Sequence, residues 1–157
     1  MAFGRAECYE SLKRIPEALA ARLAAIVRPG DAILLDGALG AGKTAFARAF
    51  LRARPGGESI AEAPSPTFTL VQTYDLAPPV WHFDLYRLAH ADEVWELGFE
   101  EALAEAISLI EWPERLGSLL PQNRLDITLS LDPSSVGARL LSVKGAGDWT
   151  DRMKALA

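Results

Sequence analysis

The run Gly37-Ala38-Leu39-Gly40-Ala41-Gly42-Lys43-Thr44 matches the pattern G-x-x-x-x-G-K-[ST] along its whole length. That spacing cradles a polyphosphate. Gly40 and Gly42 carry no Cβ, so the chain can take positive φ and bring its N–H groups close to an anion. Lys43 supplies a point charge for the β- and γ-phosphates, and the Thr44 hydroxyl is placed to ligate Mg²⁺. A helix opening at this point adds free N–H groups and the positive end of its dipole.

Such a loop needs a carboxylate at the end of a neighbouring strand to hold Mg²⁺ or its water. Two acids qualify. Glu111 follows Ile107-Ser108-Leu109-Ile110, and Asp84 follows Val80-Trp81-His82-Phe83. Glu111 is the expected Mg²⁺ carboxylate. Asp84 then orients the attacking water or shares the Mg²⁺ shell; a salt bridge to Arg87 is its structural alternative. In Ser65-Pro66-Thr67-Phe68-Thr69, hydroxyls beside a rigid proline could sense a γ-phosphate, as switch segments do. A plain strand with solvent-facing threonines fits the same residues. Trp112, next to Glu111, could cover the site, face a partner or pack in the core. His82 reads as packed or satisfied by a polar partner and His90 as surface, since neither has metal-ligand company in the sequence.

The elements that must position these residues are legible from periodicity. Leu19, Leu23, Ile26 and Val27 give a helix over 17–27, which Arg28-Pro29-Gly30-Asp31 stops. Ala32–Leu35 is a buried strand feeding the loop, and Thr44–Leu51 is the helix after it. Thr67–Tyr74 and Val80–Tyr86, joined by Asp75-Leu76-Ala77-Pro78-Pro79, predict an antiparallel hairpin. A helix is expected over Asp92–Glu105, broken at Gly98, then a strand over Ala106–Ile110. Arg124–Leu131 alternates as a half-buried strand, Arg139–Val143 returns beside it, and Trp149–Leu156 closes with a short helix. The expected fold class is α/β, a three-layer P-loop NTPase with a mixed, partly antiparallel sheet.

The 157 residues suit one domain over 1–157, with the N-terminal helix at 17–27, the core at 31–145 and a short tail at 146–157. No apolar run reaches the length of a membrane span, and the N-terminus lacks the apolar stretch of a signal peptide. A single cysteine, Cys8, forms no internal disulfide and fits a reducing compartment; a cytoplasmic location is expected. Residues 1–54 hold nine basic against five acidic side chains, and residues 55–157 seven against sixteen. The acidic half argues against a broad nucleic-acid grip by this chain alone.

Taken together, several segments resemble one family. Gly37 to Thr44, then Ser65-Pro66-Thr67-Phe68-Thr69-Leu70-Val71, then His82-Phe83-Asp84-Leu85-Tyr86-Arg87-Leu88, then Ile110-Glu111-Trp112-Pro113 and Leu120-Pro121 are similar in order and spacing to the bacterial TsaE (YjeE) ATPases over residues 17–145. The resemblance implies an ATPase needed for N6-threonylcarbamoyladenosine in tRNA, working with a TsaB–TsaD pair, with tRNA met only through that complex. It implies ATP and Mg²⁺ as cofactors. Carried over by position, the nucleotide loop is Gly40, Ala41, Gly42, Lys43, Thr44 and Ala45. Thr44 and Glu111 fall to Mg²⁺, Asp84 to the hydrolytic site, Thr67 to the switch-like segment and Arg139 to a basic position near the base. Ala38 stands where the family usually has Asp, and Ser11 is the hydroxyl available where the family often has Thr near the adenine.

Two other classes use the same loop: a small metabolite or nucleotide kinase, and an ATP-gated binding module without hydrolysis. A kinase wants an arginine-rich lid, whereas Arg87 and Arg115 stand apart in the sequence. Two strand-end carboxylates argue for hydrolysis over a passive switch. The chain has no Asn-Lys-x-Asp guanine motif, which disfavours a GTPase.

Overall fold

The computed structural model describes residues 15–60, 66–134 and 136–156. Cys8, Ser11 and Ser65 lie outside them. The elements in chain order are α1 (Ile15–Ile26), β1 (Ala32–Asp36), α2 (Lys43–Ala53), β2 (Val71–Tyr74), β3 (Val80–Asp84), α3 (Phe99–Glu105), β4 (Ile107–Glu111), β5 (Arg124–Leu131), β6 (Arg139–Ala146) and α4 (Trp149–Arg152). Short 3₁₀ segments cover Ala91–Leu97, Pro113–Leu119 and Met153–Leu156.

The strands form one sheet in the order β2-β3-β4-β1-β5-β6. β3, β4, β1 and β5 run parallel, and β2 and β6 pair antiparallel at the two edges. Alternation along β1 splits its side chains between two cores. Ile33 and Leu35 meet Leu23 of α1 and Phe46 and Phe50 of α2 on one face. Ala32 and Leu34 meet Phe83, Phe99 and Ile110 on the other. α1 turns Leu19, Ala20, Leu23 and Ala24 inward at helical spacing, which is why it lies beside α2 rather than in solvent. Phe83 and Phe99 meet edge to face with centroids 5.6 Å apart, pinning α3 beneath β3 and β4. Along β5, Leu125, Ile127 and Leu129 are buried while Thr128 and Ser130 are exposed. The third layer therefore stops short of that strand's outer face.

Several expected boundaries shift for local reasons. Thr67–Leu70 is a turn rather than the start of a strand: the Leu70 N–H donates to the Pro66 carbonyl (2.7 Å), and Leu70 takes a left-handed φ of 65°. β3 ends at Asp84, because Asp84 Oδ1 accepts the Tyr86 N–H (3.1 Å) and turns the chain. The expected 92–105 helix is a 3₁₀ segment and α3, divided at Gly98 with φ 82°. β6 runs to Ala146, three residues past the expected end, in full register with β5. Among the described residues, no helix is long and apolar enough to cross a membrane.

Candidate functional site

The parallel strands β1, β4 and β3 all end at the same edge, and their C-terminal residues carry the chemistry. The register sets Leu35 of β1 beside Glu111 of β4, and Glu111 beside Asp84 of β3. The chain leaves β1 through residues 37–42 and enters α2 at Lys43. Gly40 and Gly42 both take positive φ, 78° and 106°, so the loop needs glycine at these positions. Gly42 is the N-cap of α2, and no side chain caps its first N–H groups. These donors and the helix dipole point at the loop's concave face, where an anion is stabilised.

Lys43 is folded over the loop. Its Nζ donates to the Gly37 carbonyl and to the Ala38 carbonyl (3.0 Å), and lies 3.9 Å from the centroid of the Trp112 ring. Burial pushes the Lys43 pKa below the ordinary lysine value, and Glu111, Asp36, Glu114 and Asp84 oppose that shift. A buried ammonium held on carbonyl dipoles and an aromatic face is set to gain from an arriving polyanion.

The Thr44 Oγ1 donates to Glu111 Oε1 at 2.9 Å, joining the first turn of α2 to the end of β4. The second Glu111 oxygen, Oε2, accepts from His82 Nε2 at 2.6 Å. Thr67 Oγ1 donates to Asp84 Oδ2 at 3.2 Å, so the 66–70 turn is tied to the same strand edge. Arg139 reaches the loop from the first residue of β6: Nε donates to the Ala41 carbonyl (3.0 Å) and Nη2 to the Gly40 carbonyl (3.5 Å). The residues singled out by pattern or carried over by the resemblance thus meet at one strand edge: Gly40, Ala41, Gly42, Lys43, Thr44 and Ala45 in the loop and helix, Asp84 and Glu111 at strand ends, Thr67 beside them, and Arg139, given by the resemblance alone, against the loop.

Two partners were not assigned to the site by sequence pattern. His82 is one. It lies two residues before Asp84 on β3, and a strand's period of two puts both side chains on one face; that spacing was the available signal. Trp112 is the other: covering the site was one of three readings left open for it, and it supplies the aromatic face under Lys43, with a left-handed φ of 58° and Tyr86 packed against it at 4.9 Å.

The donors around Thr44 are oxygens, the ligand type of a hard cation such as Mg²⁺. Among the described residues, no group of three or more His, Cys, Asp or Glu could hold a metal. One hydroxyl and strand-end carboxylates fit a cation that draws the rest of its shell from phosphate and water.

A glycine-rich loop between the first strand and the next helix, at the parallel centre of a mixed sheet and faced by acids on adjoining strand ends, defines a P-loop nucleotide-binding protein. The known proteins that this chain matches narrow the class. The family model for TsaE, threonylcarbamoyl adenosine biosynthesis protein TsaE, matches residues 11–139. The chain is 43% identical to the tRNA threonylcarbamoyladenosine biosynthesis protein TsaE of Rickettsia felis over 72% of this chain and 66% of that one. It is 39% identical to the Bacillus subtilis protein of the same name over 72% and 70%. The crystal structure of Bacillus subtilis YdiB superposes with a TM-score of 0.71 at 27% identity, covering 98% of this chain and 94% of that one. The chain belongs to the TsaE family. Its match spans 66% of the length of the Rickettsia felis relative.

Proposed function

We propose that this chain is a Mg²⁺-dependent ATPase that serves N6-threonylcarbamoyladenosine formation in tRNA, acting with TsaB and TsaD partners in the cytoplasm as a single domain. The observation that carries the reading is the Thr44–Glu111 hydrogen bond, which joins the loop hydroxyl to the strand-end acid. Its setting in a TsaE-family chain supplies the pathway. ATP lies with its phosphates along Gly40–Ala45. Thr44 and Glu111 hold Mg²⁺, which when bound draws charge off the phosphate oxygens. Lys43 and the loop amides bind the β- and γ-phosphates and stabilise the charge that builds in the transition state.

Asp84 orients the attacking water for in-line displacement at the γ-phosphorus. Its carboxylate is fixed by Thr67 Oγ1 and the Tyr86 N–H, so it meets the water without reorganising. Thr67 then reports the γ-phosphate to the 66–70 turn. Asp84→Ala is expected to leave ATP affinity within about threefold while lowering turnover about 10²–10⁴-fold. Unchanged turnover would return Asp84 to a purely structural role.

Arg139 braces the loop from behind, and from there its guanidinium borders the nucleotide. Arg139→Ala frees two carbonyls that it now holds. Loss of these charge-assisted bonds is expected to weaken ATP binding about tenfold. Titration calorimetry measures it; an unchanged Kd would remove Arg139 from the site.

The test of the reading as a whole is ATP hydrolysis by the purified chain, alone and with TsaB and TsaD. Stimulation by the pair supports the assignment. Hydrolysis indifferent to the pair, or transfer of phosphate to a small acceptor, overturns it.

A further inference from the structure

We propose that His82 is a positioning residue that sets the Glu111 carboxylate for the Mg²⁺ shell. The inference rests on the reading of Thr44 and Glu111 as the Mg²⁺ residues. Glu111 is 2% exposed and His82 1% exposed, so water satisfies neither. A buried carboxylate without donors is costly, and each Glu111 oxygen has one donor: Thr44 Oγ1 on Oε1 at 2.9 Å and His82 Nε2 on Oε2 at 2.6 Å. One donor on each oxygen restrains the carboxylate from rotating.

The chain places His82 for this task through the sheet. β3 and β4 are parallel, with His82 level with Leu109 and Asp84 level with Glu111. From its level, the imidazole reaches diagonally forward along the strands to the far oxygen of Glu111. Because a carboxylate oxygen only accepts, the contact assigns the hydrogen to Nε2.

The consequence falls on Thr44. Its hydroxyl has one hydrogen and two lone pairs. While the hydrogen points at Glu111 Oε1, a lone pair is free for the cation. If Glu111 rotates, that hydrogen loses its acceptor and the lone pair loses its direction. His82 thereby tunes cation binding from outside the shell, as residues hydrogen-bonded to metal-ligating carboxylates do.

The test compares His82→Gln with His82→Asn. Glutamine carries its amide nitrogen near the position of Nε2 and can still donate to Oε2. Asparagine is one methylene shorter and carries its nitrogen near Nδ1, out of reach. Both keep a polar side chain at the buried position. ATP binding is followed by calorimetry in EDTA and across a Mg²⁺ titration, with folding checked by circular dichroism. His82→Asn is expected to raise the Mg²⁺ concentration for half-effect by about 10–100-fold. Its ATP affinity in EDTA should stay within about twofold of the parent, and His82→Gln should stay within about threefold on both measures. In a Glu111→Gln background, His82→Asn should add no further change.

Three results overturn the proposal. The first is an unchanged Mg²⁺ requirement in His82→Asn, with Glu111→Gln still raising it; the Mg²⁺ reading of Glu111 then stands and His82 only packs. The second is equal loss of ATP affinity with and without Mg²⁺, the mark of a general structural role. The third is a Mg²⁺ requirement that neither Glu111→Gln nor His82→Asn alters; that result removes the Mg²⁺ reading of Glu111 itself.

Discussion

Lys43→Ala is expected to lower ATP turnover by about 10²–10³-fold or more and to remove the stabilisation that the nucleotide gives the fold. The reason lies in where the ammonium sits. Lys43 is 5% exposed, and its nearest polar partners are the carbonyls of Gly37 and Ala38. Desolvation disfavours the charge there and pushes the Lys43 pKa below the ordinary lysine value. A polyphosphate in the loop reverses that balance, because two opposite charges attract far more strongly in a water-poor site than in bulk solvent. Removing this one side chain is therefore expected to remove a large share of the nucleotide's binding energy.

The prediction separates binding from folding. Without nucleotide, Lys43→Ala loses two hydrogen bonds to carbonyls but also removes a desolvated cation, so the two effects oppose each other. With Mg²⁺–ATP at about 100 times Kd, the parent protein gains about 2.7 kcal/mol, a rise of roughly 5–10 °C in Tm. The variant should gain none of it. Lys43→Arg tests whether charge alone is enough. Its forked guanidinium is bulkier than an ammonium seated on two carbonyls and the Trp112 face, so it too is expected to fail. A nucleotide-dependent rise in Tm that survives in Lys43→Ala would refute the placement of the phosphates.

The parts of this site that could be read from sequence are those carried by local spacing. The loop is contiguous, and the strands before Glu111 and Asp84 are short apolar runs ending in an acid. The antiparallel hairpin of β2 and β3 was also legible, from its β-forming residues on either side of a proline-rich turn. β-propensity overreached at Thr67–Leu70, where the bond from Leu70 N–H to the Pro66 carbonyl and the link from Thr67 to Asp84 form a turn instead. What stayed hidden depends on strand order. His82 meets Glu111 across 29 positions only because β3 and β4 are neighbours with Asp84 level with Glu111. Arg139 reaches Ala41 across 98 positions only because β6 lies antiparallel beyond β5. No periodicity within either segment encodes those neighbours.

The same dependence on topology makes the link between Arg152 and Asp31 the second large expected effect, this time on stability. Arg152 Nη1 and Nη2 donate to the two Asp31 oxygens at 2.7 and 2.8 Å, and Nη2 also donates to the Ile26 carbonyl at 3.0 Å. The guanidinium lies 4.0 Å from the Trp149 ring centroid. One side chain thus clips α4 to the end of α1 and the start of β1. Its hydrogen bond to Asp31 raises the already high arginine pKa, so the cation persists at any working pH. The Arg152 and Asp31 side chains are only 16% and 10% exposed, so removing one leaves the other poorly solvated. Arg152→Ala is expected to cost about 3–5 kcal/mol, seen as a fall of roughly 10 °C in Tm. Asp31→Ala should cost a similar amount, because it also strands the Arg28 N–H that Asp31 Oδ2 accepts at 2.7 Å. The double variant should lose clearly less than the two single losses combined, since the second change removes a charge already orphaned. This bridge lies at the N-terminal end of β1, about 17 Å of extended strand from the loop at the other end. Each variant, while folded, should therefore bind ATP as the parent does. Additive losses in thermal unfolding would mean that the ion pair contributes nothing as a pair. Weakened ATP binding in folded Arg152→Ala would mean that the C-terminal helix reaches the nucleotide site through β1.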